Sequence, residues 1–246
     1  MEGMPMNKKE EKPLYQRVRT ALMEEIRTMR PGNNRLEPEE HLAKRYGTSR
    51  ATVREALADL IQQGYITPWQ GRGNFGHPHA LSLNMRFDIT YDFYHMLQGR
   101  YENIDIEQSG ISLSVPNGDL LEHMPQFKHT QVFAFDWVYL ADGGPVIVCR
   151  VQVIKAAMRL MLSKRKDEMR LTDYLRRFYD GDITYATAWF KAGTNRRVAE
   201  IFEVGEETPM QMWEEIFYDL YDRQICFNQV FFHPKKTNLS MLLRTR

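Results

Sequence analysis

The sequence has few cysteines and no long apolar run. Only Cys149 and Cys226 are present among 246 residues, too few for a disulfide framework and typical of a protein in a reducing compartment. No apolar stretch reaches the roughly 18 residues that a transmembrane helix needs. The polar N-terminus also lacks the apolar segment of a secretory signal. These absences predict a disordered leader over residues 1–12 and a cytoplasmic protein without a membrane span.

An excess of charge of one sign is also absent. The chain carries 33 Lys and Arg against 32 Asp and Glu, a net charge of +1. Bulk charge alone therefore does not indicate a nucleic-acid partner. Hydrophobic residues make up 43% of the chain, enough for two domains with real cores at this length. The stretch "HPHALSLNMRFD", residues 77–88, has no strong period and predicts a linker between a first domain, 13–76, and a second, 89–246.

The first domain shows three helical patterns followed by a hairpin. Apolar residues recur with one-face spacing from Leu14 to Ile26, and a second, short helix is expected between Pro38 and Gly47. Ser49 is a suitable N-cap for a third helix. The predicted buried face of that helix comprises Val53, Ala56, Leu57, Leu60 and Ile61. Two short strands around a Gly-Arg-Gly tip follow, and this order predicts a winged helix–turn–helix.

The exposed side of the third helix has the chemistry of a DNA-reading surface. A helix that enters the major groove presents its N-terminal residues to base edges, and arginine can donate two hydrogen bonds to guanine. The residues predicted to contact DNA from this helix are Ser49, Arg50, Ala51, Thr52 and Arg54. The predicted wing contacts, which suit a loop pressed on the backbone or into the minor groove, are Gln70, Gly71, Arg72 and Gly73.

Each of these signals has an ordinary alternative when taken alone. A Ser-capped helix with arginines one turn apart is commonly a solvated face, and a Gly-Arg-Gly tip is commonly a plain hairpin turn. The joint order of three helices, capped third helix and wing favours DNA binding.

The segment from Pro13 to about Phe75, with "SRATVREAL" and "GRG" in order, resembles the N-terminal domain of GntR-superfamily transcriptional regulators. That resemblance implies that Ser49, Arg50, Thr52 and Arg54 contact phosphates and bases. One departure concerns the second helix, which in the family usually starts Pro-Ser-Glu-Arg with a DNA-contacting arginine. Glu40 occupies that position here, and an acid cannot contact phosphate favourably. We therefore expect an altered or weaker operator preference.

The second domain is predicted to be α+β with a largely antiparallel sheet. The segments "QVFAFDWVYLADGGPVIVCRVQVI" and "MQMWEEIFYDLYDRQICFNQVFFH" each predict a hairpin, the first around an Asp-Gly turn. Helices are expected near residues 156–162, 172–179 and 194–202. "HPH" at residues 77–79 offers no third ligand at a useful spacing, so no metal site is predicted. No cofactor motif occurs either.

This half, roughly residues 82–244, resembles the HutC-type branch of the same superfamily, whose UTRA effector domain has a chorismate-lyase-like fold. The "ADGGPV" turn and the matching second hairpin carry the resemblance. It implies a homodimeric, ligand-responsive repressor that binds a palindromic operator on double-stranded DNA. Two recognition helices one DNA turn apart suit a palindrome.

The family's effector residues do not transfer directly. Relatives that bind anionic ligands tend to carry an Arg-x-Arg where Trp137 and Tyr139 stand, and a glutamate where Cys149 stands beside Arg150. The second hairpin often carries an arginine in place of Glu215 and a glutamate in place of Phe227. Phosphate recognition depends on forked arginine donors, so a phosphorylated sugar is disfavoured as effector. We expect a flatter, more apolar or cationic ligand held by Trp137, Tyr139 and Glu215. Cys149, Arg150 and Phe227 complete the set of candidate effector residues, although Arg150, next to Cys149, is expected to point to the opposite face of the strand.

Three alternatives remain open. Trp137 and Tyr139 on one face of a strand are also typical of ordinary core. The second half could be a chorismate-lyase-like enzyme fused to a DNA-binding domain, although no coherent acid–base pair appears there. An effector-independent DNA-binding protein is a further possibility. We predict that the chain is not an enzyme.

Overall fold

The computed structural model describes residues 13–90, 92–163 and 170–244; the predicted leader, 1–12, lies outside them. The described residues divide into two compact units, one of residues 13–89 with 240–244 and one of residues 90–239. None of the helices in these ranges is long and apolar enough to cross a membrane.

The first unit is a winged helix–turn–helix, as predicted. Three helices precede a two-stranded antiparallel wing: α1 (Leu14–Thr28), α2 (Glu39–Arg45), α3 (Arg50–Gln62), β1 (Ile66–Trp69) and β2 (Gly73–Gly76). One apolar core joins the inner faces of the helices with the base of the wing. Of the five residues predicted to be buried on α3, four are buried and Ile61 is partly buried against the same core. The apolar spacing thus places the opposite face of α3 in solvent.

The limits of this unit differ from the predicted ones at two places. Within the predicted linker, 77–88, residues Pro78–Leu81 form a short helix, α4, and Ala80 is buried in the core of the first unit. The C-terminal residues 240–244 also belong to this unit, whereas the sequence prediction placed all of 89–246 in the second domain. Ser240 pairs with the backbone near Arg86, and Leu242 packs against the core.

The second unit is built on a seven-stranded sheet in which every described pairing is antiparallel. Its strands are β3 (Ile104–Gln108), β4 (Ser112–Ser114), β5 (Val132–Ala141), β6 (Gly144–Ile154), β7 (Ile183–Gly193), β8 (Met210–Asp219) and β9 (Gln224–Phe232). The order across the sheet is β3-β5-β6-β9-β8-β7, with β4 also pairing with β5. The two predicted hairpins are β5–β6 and β8–β9. Asp142 and Gly143 both take positive φ in the first turn, as a tight hairpin requires.

Four helices of the second unit flank this sheet: α5 (Phe93–Gln98), α6 (Gly118–His123), α7 (Leu171–Arg176) and α8 (Arg196–Phe202). Residues of α6 and α8 join two apolar clusters on one face of the sheet, which we call the α6/α8 face. On the other face, the α5/α7 face, Phe93 of α5 contacts Tyr139, and Tyr174 of α7 contacts Phe135 and Trp137.

Two predictions about the second unit were wrong or incomplete. The helix expected near residues 156–162 is absent: residues 155–157 form a single 3-10 turn, and the backbone of Met158 and Arg159 then pairs with residues 179 and 178. Strand β7 was missed. As an edge strand it is mostly exposed, so its sequence lacks the alternation of apolar and polar residues that marks a half-buried strand.

Candidate functional site

The N-terminus of α3 is fixed by its cap. The Ser49 hydroxyl accepts a hydrogen bond from the Thr52 backbone N–H at 3.1 Å and lies 2.9 Å from the Thr52 hydroxyl. The predicted N-cap is therefore confirmed. Because this hydrogen bond fixes where the helix starts, it also fixes the direction in which the first-turn side chains project.

The exposed face of α3 carries the predicted arginines. Arg50, Ala51 and Arg54 are exposed, and Thr52 is half-buried. Arg54 is held from α2 by a forked ion pair, with Nη2 at 2.7 Å and Nε at 3.3 Å from the two carboxylate oxygens of Glu39. Its side chain nevertheless stays 66% exposed. The guanidinium is thus both oriented and accessible.

Glu39 was not singled out from the sequence, although it is the residue that positions Arg54. The hydrogen bond from Arg54 lowers the pKa of the Glu39 carboxyl, against a smaller opposing effect of burial. The neighbouring Glu40, which replaces the family's arginine, instead points to Lys44 one turn along α2, with 3.1 Å between Nζ and Oε1. Both partners of that second pair are well exposed.

The wing tip presents a cation on an aromatic ring. Gln70, Gly71, Arg72 and Gly73 are all exposed, and the Arg72 guanidinium lies over the Trp69 ring, 5.4 Å from its centroid. Gly71 and Gly73 have φ values of +74° and +102°, a region that disfavours side chains. The two glycines allow the sharp turn that carries Arg72 to the tip.

A second arginine beside the wing was not predicted. Arg35 is exposed, and its backbone bridges to Phe75 of β2. A Cβ at Gly73 would stand 3.2 Å from Arg35 Nε, so the Arg35 side chain lies over the wing. Arg35 lies in an irregular loop between α1 and α2, where no periodic sequence pattern could identify it.

The second site lies on the α5/α7 face of the sheet. Strand register brings Trp137, Tyr139, Cys149 and Glu215 to this face, four of the six residues predicted to bind an effector. All four are buried. Asn228, directly opposite Glu215 on β9, belongs to the same group and was not predicted.

The other two predicted effector residues lie on the opposite face. Arg150 follows Cys149 and therefore points to the α6/α8 face, where its Nε lies 3.8 Å from Asp136. Phe227 packs in an apolar cluster of that same face. The alternation of a strand separates adjacent residues, so Arg150 and Phe227 do not join the other four in one pocket.

A cavity of about 290 Å³ opens beside this buried group. Side chains of α5, the sheet and α7 form its walls: Asp92, Phe93, Tyr139, Arg170, Leu171, Thr172, Arg176, Glu215 and Phe217, with Thr90 at the edge. Tyr139 thus lines the cavity, whereas Trp137 is covered by Tyr174, 5.2 Å away between ring centroids.

Glu215 is a buried acid that takes part in no ion pair between described residues. Its carboxyl accepts a hydrogen bond of 2.7 Å from the Asn228 side-chain amide and is 3% exposed. Burial raises its pKa from an ordinary 4.5 to about 7, and hydrogen bonds from Asn228 and Trp213 offset this only in part. Burial also raises the pKa of the Cys149 and Cys226 thiols, so neither is a reactive thiolate.

His77 of the "HPH" stretch lies 2.7 Å from the Thr67 hydroxyl through Nε2, and burial lowers its pKa. No group of three or more His, Cys, Asp or Glu in the described ranges has an arrangement that could hold a metal ion.

Comparison with known proteins identifies both units. Residues 14–75 match the family model described as bacterial regulatory proteins, gntR family, and residues 104–238 match the model of the UTRA domain. Over 63 residues the chain is 35% identical to an Escherichia coli K12 protein named "Probable fructoselysine utilization operon transcriptional repressor". That match covers 25% of this chain and 26% of the relative, so it spans about a quarter of the curated protein's length.

Solved structures extend the likeness to the whole fold. The "possible transcriptional regulator YydK" of Bacillus subtilis superposes with a TM-score of 0.67 at 15% identity, covering 94% of this chain and 100% of that one. PhnF of Mycobacterium smegmatis gives 0.55 at 16% identity, covering 93% and 100%. At such identities the superpositions show a shared fold alone. Together with the two matching family models, they show that the chain belongs to the GntR family of bacterial regulatory proteins, in the HutC-type branch that carries a UTRA domain.

Proposed function

We propose that the chain is a transcriptional repressor that binds a palindromic operator as a homodimer in the cytoplasm and is released by a small-molecule effector. The observation that supports this proposal most directly is the exposed N-terminal part of α3, where Glu39 orients Arg54 and the Arg54 side chain stays accessible. The wing with Arg72 adds a second basic contact beside it. The repressor assignment follows the name of the curated relative.

In this proposal the first unit reads DNA through a small set of side chains. Arg50 and Arg54 contact base edges in the major groove, each able to donate two hydrogen bonds to guanine. Ser49 and Thr52 border the helix N-terminus, which favours a phosphate. Arg72, with Arg35 beside it, contacts the backbone or the minor groove from the wing. Glu39 releases Arg54 to the DNA because the exposed ion pair between them is weak.

The second unit supplies the control. A small molecule in the cavity beside Tyr139 and Glu215 stabilises one arrangement of the dimer over another, and DNA affinity changes by that difference in free energy. Four of the predicted effector residues support this assignment by sharing one face. Arg150 and Phe227, on the other face, are left out of it.

The outer edge of β7 is our candidate for the dimer interface. Within the described ranges β7 pairs with β8 only, and its exposed aromatic residues include Tyr185, Trp189 and Phe190. An open antiparallel edge invites pairing with another strand. A second copy related by a two-fold axis would offer the same strand in antiparallel direction.

A charge placed on this edge tests the interface. Phe190 is 60% exposed, and we expect Phe190→Lys to raise the dimer dissociation constant by at least about tenfold, because it buries a charge at a paired edge. Sedimentation equilibrium measures this. Leu113→Lys, on the short strand β4 at the other side of the sheet, is the matched control and should leave the dimer intact. Dissociation by Leu113→Lys but not by Phe190→Lys would assign the dimer to the other edge.

DNA binding itself is tested without knowledge of the operator. The full chain is incubated with a pool of random-sequence duplexes, and bound molecules are amplified over several rounds. We expect enrichment of a palindrome with half-sites about one helical turn, roughly 10 base pairs, apart. A pool that stays random, with no binding in the nanomolar to micromolar range, would contradict the proposed function.

A further inference from the structure

The buried carboxylate of Glu215 lines the cavity of the second unit, and none of the ion pairs between described residues includes it; this feature specifies a ligand class. We infer that the effector carries a primary ammonium group, which enters the cavity and pairs with Glu215. The inference rests on the proposed role of this cavity as the effector site and adds the chemistry of the ligand to it.

Only neutral groups reach the Glu215 carboxyl in the described part of the chain. Asn228 donates to it at 2.7 Å, Trp213 is the other hydrogen-bonding neighbour, and none of the ion pairs between described residues includes Glu215. A carboxylate taken out of water needs an opposite charge or several strong donors. The described residues supply Glu215 with two neutral donors and no cation.

The two arginines that line the cavity are both engaged in ion pairs. Arg170 Nε lies 2.6 Å from Asp173, and its Nη1 lies 3.5 Å from Asp92. Arg176 Nη1 lies 3.0 Å from the second oxygen of Asp173. Both arginines are therefore held by aspartates, and of the charged residues that line the cavity (Asp92, Arg170, Arg176 and Glu215) Glu215 is in none of the ion pairs between described residues.

The remaining groups suit an ammonium on a flat, apolar body. The side-chain oxygen of Asn228, the residue that donates to Glu215, is buried and has no hydrogen-bond partner among the described residues. Phe93, Tyr139 and Phe217 form an aromatic wall. Aromatic faces attract cations, whereas a ligand carboxylate or phosphate would meet the repulsion of Glu215.

The alternative is that Glu215 is a protonated acid with a purely structural role. Burial holds its pKa at about 7, so both forms are populated near neutral pH. Binding of a cation must then favour the ionised form and release a proton.

The other titratable groups near Glu215 are the Cys149 and Cys226 thiols, Tyr139, and the paired Asp92, Arg170 and Arg176. Burial raises the pKa of both thiols and of Tyr139, so these three stay neutral between pH 6 and 8.

The test uses matched probes on the full chain. Benzylamine, phenethylamine and tyramine are each compared with the alcohol and the carboxylic acid of the same skeleton, and binding is measured by thermal shift and by calorimetry. We expect at least one amine to bind and the matched alcohol and acid to fail. The dissociation constant of the amine should fall about tenfold from pH 6 to pH 8, as the competent ionised fraction rises. If no amine binds, or if an acid binds best, the inference is overturned.

Two variants locate the site. Glu215→Gln keeps the shape of the side chain and should abolish amine binding. Glu214→Gln, the adjacent residue on the other face of β8, is the matched control and should bind the amine as the unaltered chain does. Equal binding by both variants would overturn the assignment to Glu215.

A measurement on the unaltered chain covers the case in which Glu215→Gln does not fold. Calorimetry at pH 7 in two buffers of different ionisation enthalpy should show release of about half a proton per amine bound; no release overturns the inference. DNA binding by the same preparation is scored separately with the selected duplex. DNA binding without amine binding would overturn this inference and leave the DNA-binding part of the proposed function standing.

Discussion

Two adjacent glutamates on β8, pointing to opposite faces of the sheet, have opposite environments. Glu214 and Glu215 are both buried, at 1% and 3% exposure. On the α6/α8 face, Glu214 lies 2.6 Å from the Lys191 ammonium, 2.7 Å from His123 Nε2 and 3.1 Å from the Gln229 amide. On the α5/α7 face, the donors to the Glu215 carboxyl among the described residues are the neutral side chains of Asn228 and Trp213.

The difference appears in the pKa of each acid. Burial raises the pKa of Glu214, but hydrogen bonds from Lys191, His123 and Gln229 outweigh it and the net shift is downward. Burial raises the pKa of Glu215 to about 7. A buried charge that its own chain compensates belongs to the architecture. A buried charge beside a cavity that the described residues do not compensate is a candidate binding site, because a ligand of opposite charge would stabilise it.

A third kind of charge lies in the DNA-binding unit. The pair of Arg54 with Glu39 is compensated, as Glu214 is, but exposed to solvent. Exposed pairs are worth roughly 0–1 kcal/mol, so Arg54 can exchange Glu39 for DNA at little cost. Burial and compensation together thus distinguish the structural charge of Glu214 from the proposed ligand-binding charge of Glu215 and the proposed DNA-binding charge of Arg54.

The largest expected effect is on the pH dependence of stability. Because the folded-state pKa of Glu215 lies above its unfolded value, the folded chain holds a proton that the unfolded chain loses between pH 4.5 and about 7. Stability therefore falls as pH rises through that window. Glu215→Gln should remove this fall and be more stable than the unaltered chain at pH 8, by up to about 3 kcal/mol, with little difference at pH 4.5. Urea unfolding at the two pH values measures it.

Glu214→Gln is the matched control and should behave in the opposite sense. The pKa of Glu214 is lowered, so its stabilisation is present above its unfolded pKa and is lost as pH falls through the folded value. At pH 8 the variant should be less stable by about 1–3 kcal/mol, since Lys191 and His123 lose their buried acceptor. If both variants changed the free energy of unfolding in the same direction at pH 8, the proposed difference between the two faces of the sheet would be contradicted.

The next effect concerns the exposed pair. Arg54→Ala should weaken binding to the selected duplex by about 1–3 kcal/mol, roughly 10- to 150-fold, if Arg54 donates to a base. Arg27→Ala is the matched control, because Arg27 is also paired with a glutamate, Glu24, on the surface of the same unit. Fluorescence anisotropy measures both. An equal loss for the two variants would show a general charge effect in place of a base contact.

The smallest expected effect is at Glu40. Glu40→Arg adds a cation where relatives carry one, so we expect tighter DNA binding and a slope of log K against log salt concentration that is steeper by about 0.9. Titrations at four salt concentrations measure the slope. Glu24→Arg on α1 makes the same charge change away from the proposed interface and should leave the slope unaltered. An unchanged slope for Glu40→Arg would place position 40 outside the interface.

The DNA-binding unit could be predicted from the sequence almost completely because its signals are local. The cap at Ser49, the apolar spacing of α3 and the glycines of the wing each act within a few residues. Glu39 and Arg35 were missed because their roles depend on contacts that are not local in sequence. Glu39 contacts Arg54, 15 residues further along the chain, and Arg35 lies against the wing at Gly73. Ordinary surface glutamates and arginines have the same appearance in a sequence.

The effector unit could be predicted only in outline because its site is assembled from four strands and two helices. The hairpins were evident from their turns, and alternation placed Trp137 and Tyr139 together. The same alternation puts Asn228 on the face of Glu215 and Phe227 on the opposite face. This assignment could not be made from the sequence because it depends on the register of β8 against β9. No local sequence pattern shows whether Glu215 has a counter-charge, because that depends on the side chains of the other strands and helices packed around it.

Hydroxyl-radical footprinting of the full chain on the selected duplex tests the central claim, that the chain is a dimeric, sequence-reading regulator. The account predicts two protected segments related by a two-fold axis and about one helical turn apart, which Arg27→Ala preserves and Arg54→Ala removes at the same protein concentration. A single or continuous protected region, or protection by Arg54→Ala equal to that of the unaltered chain, would contradict it.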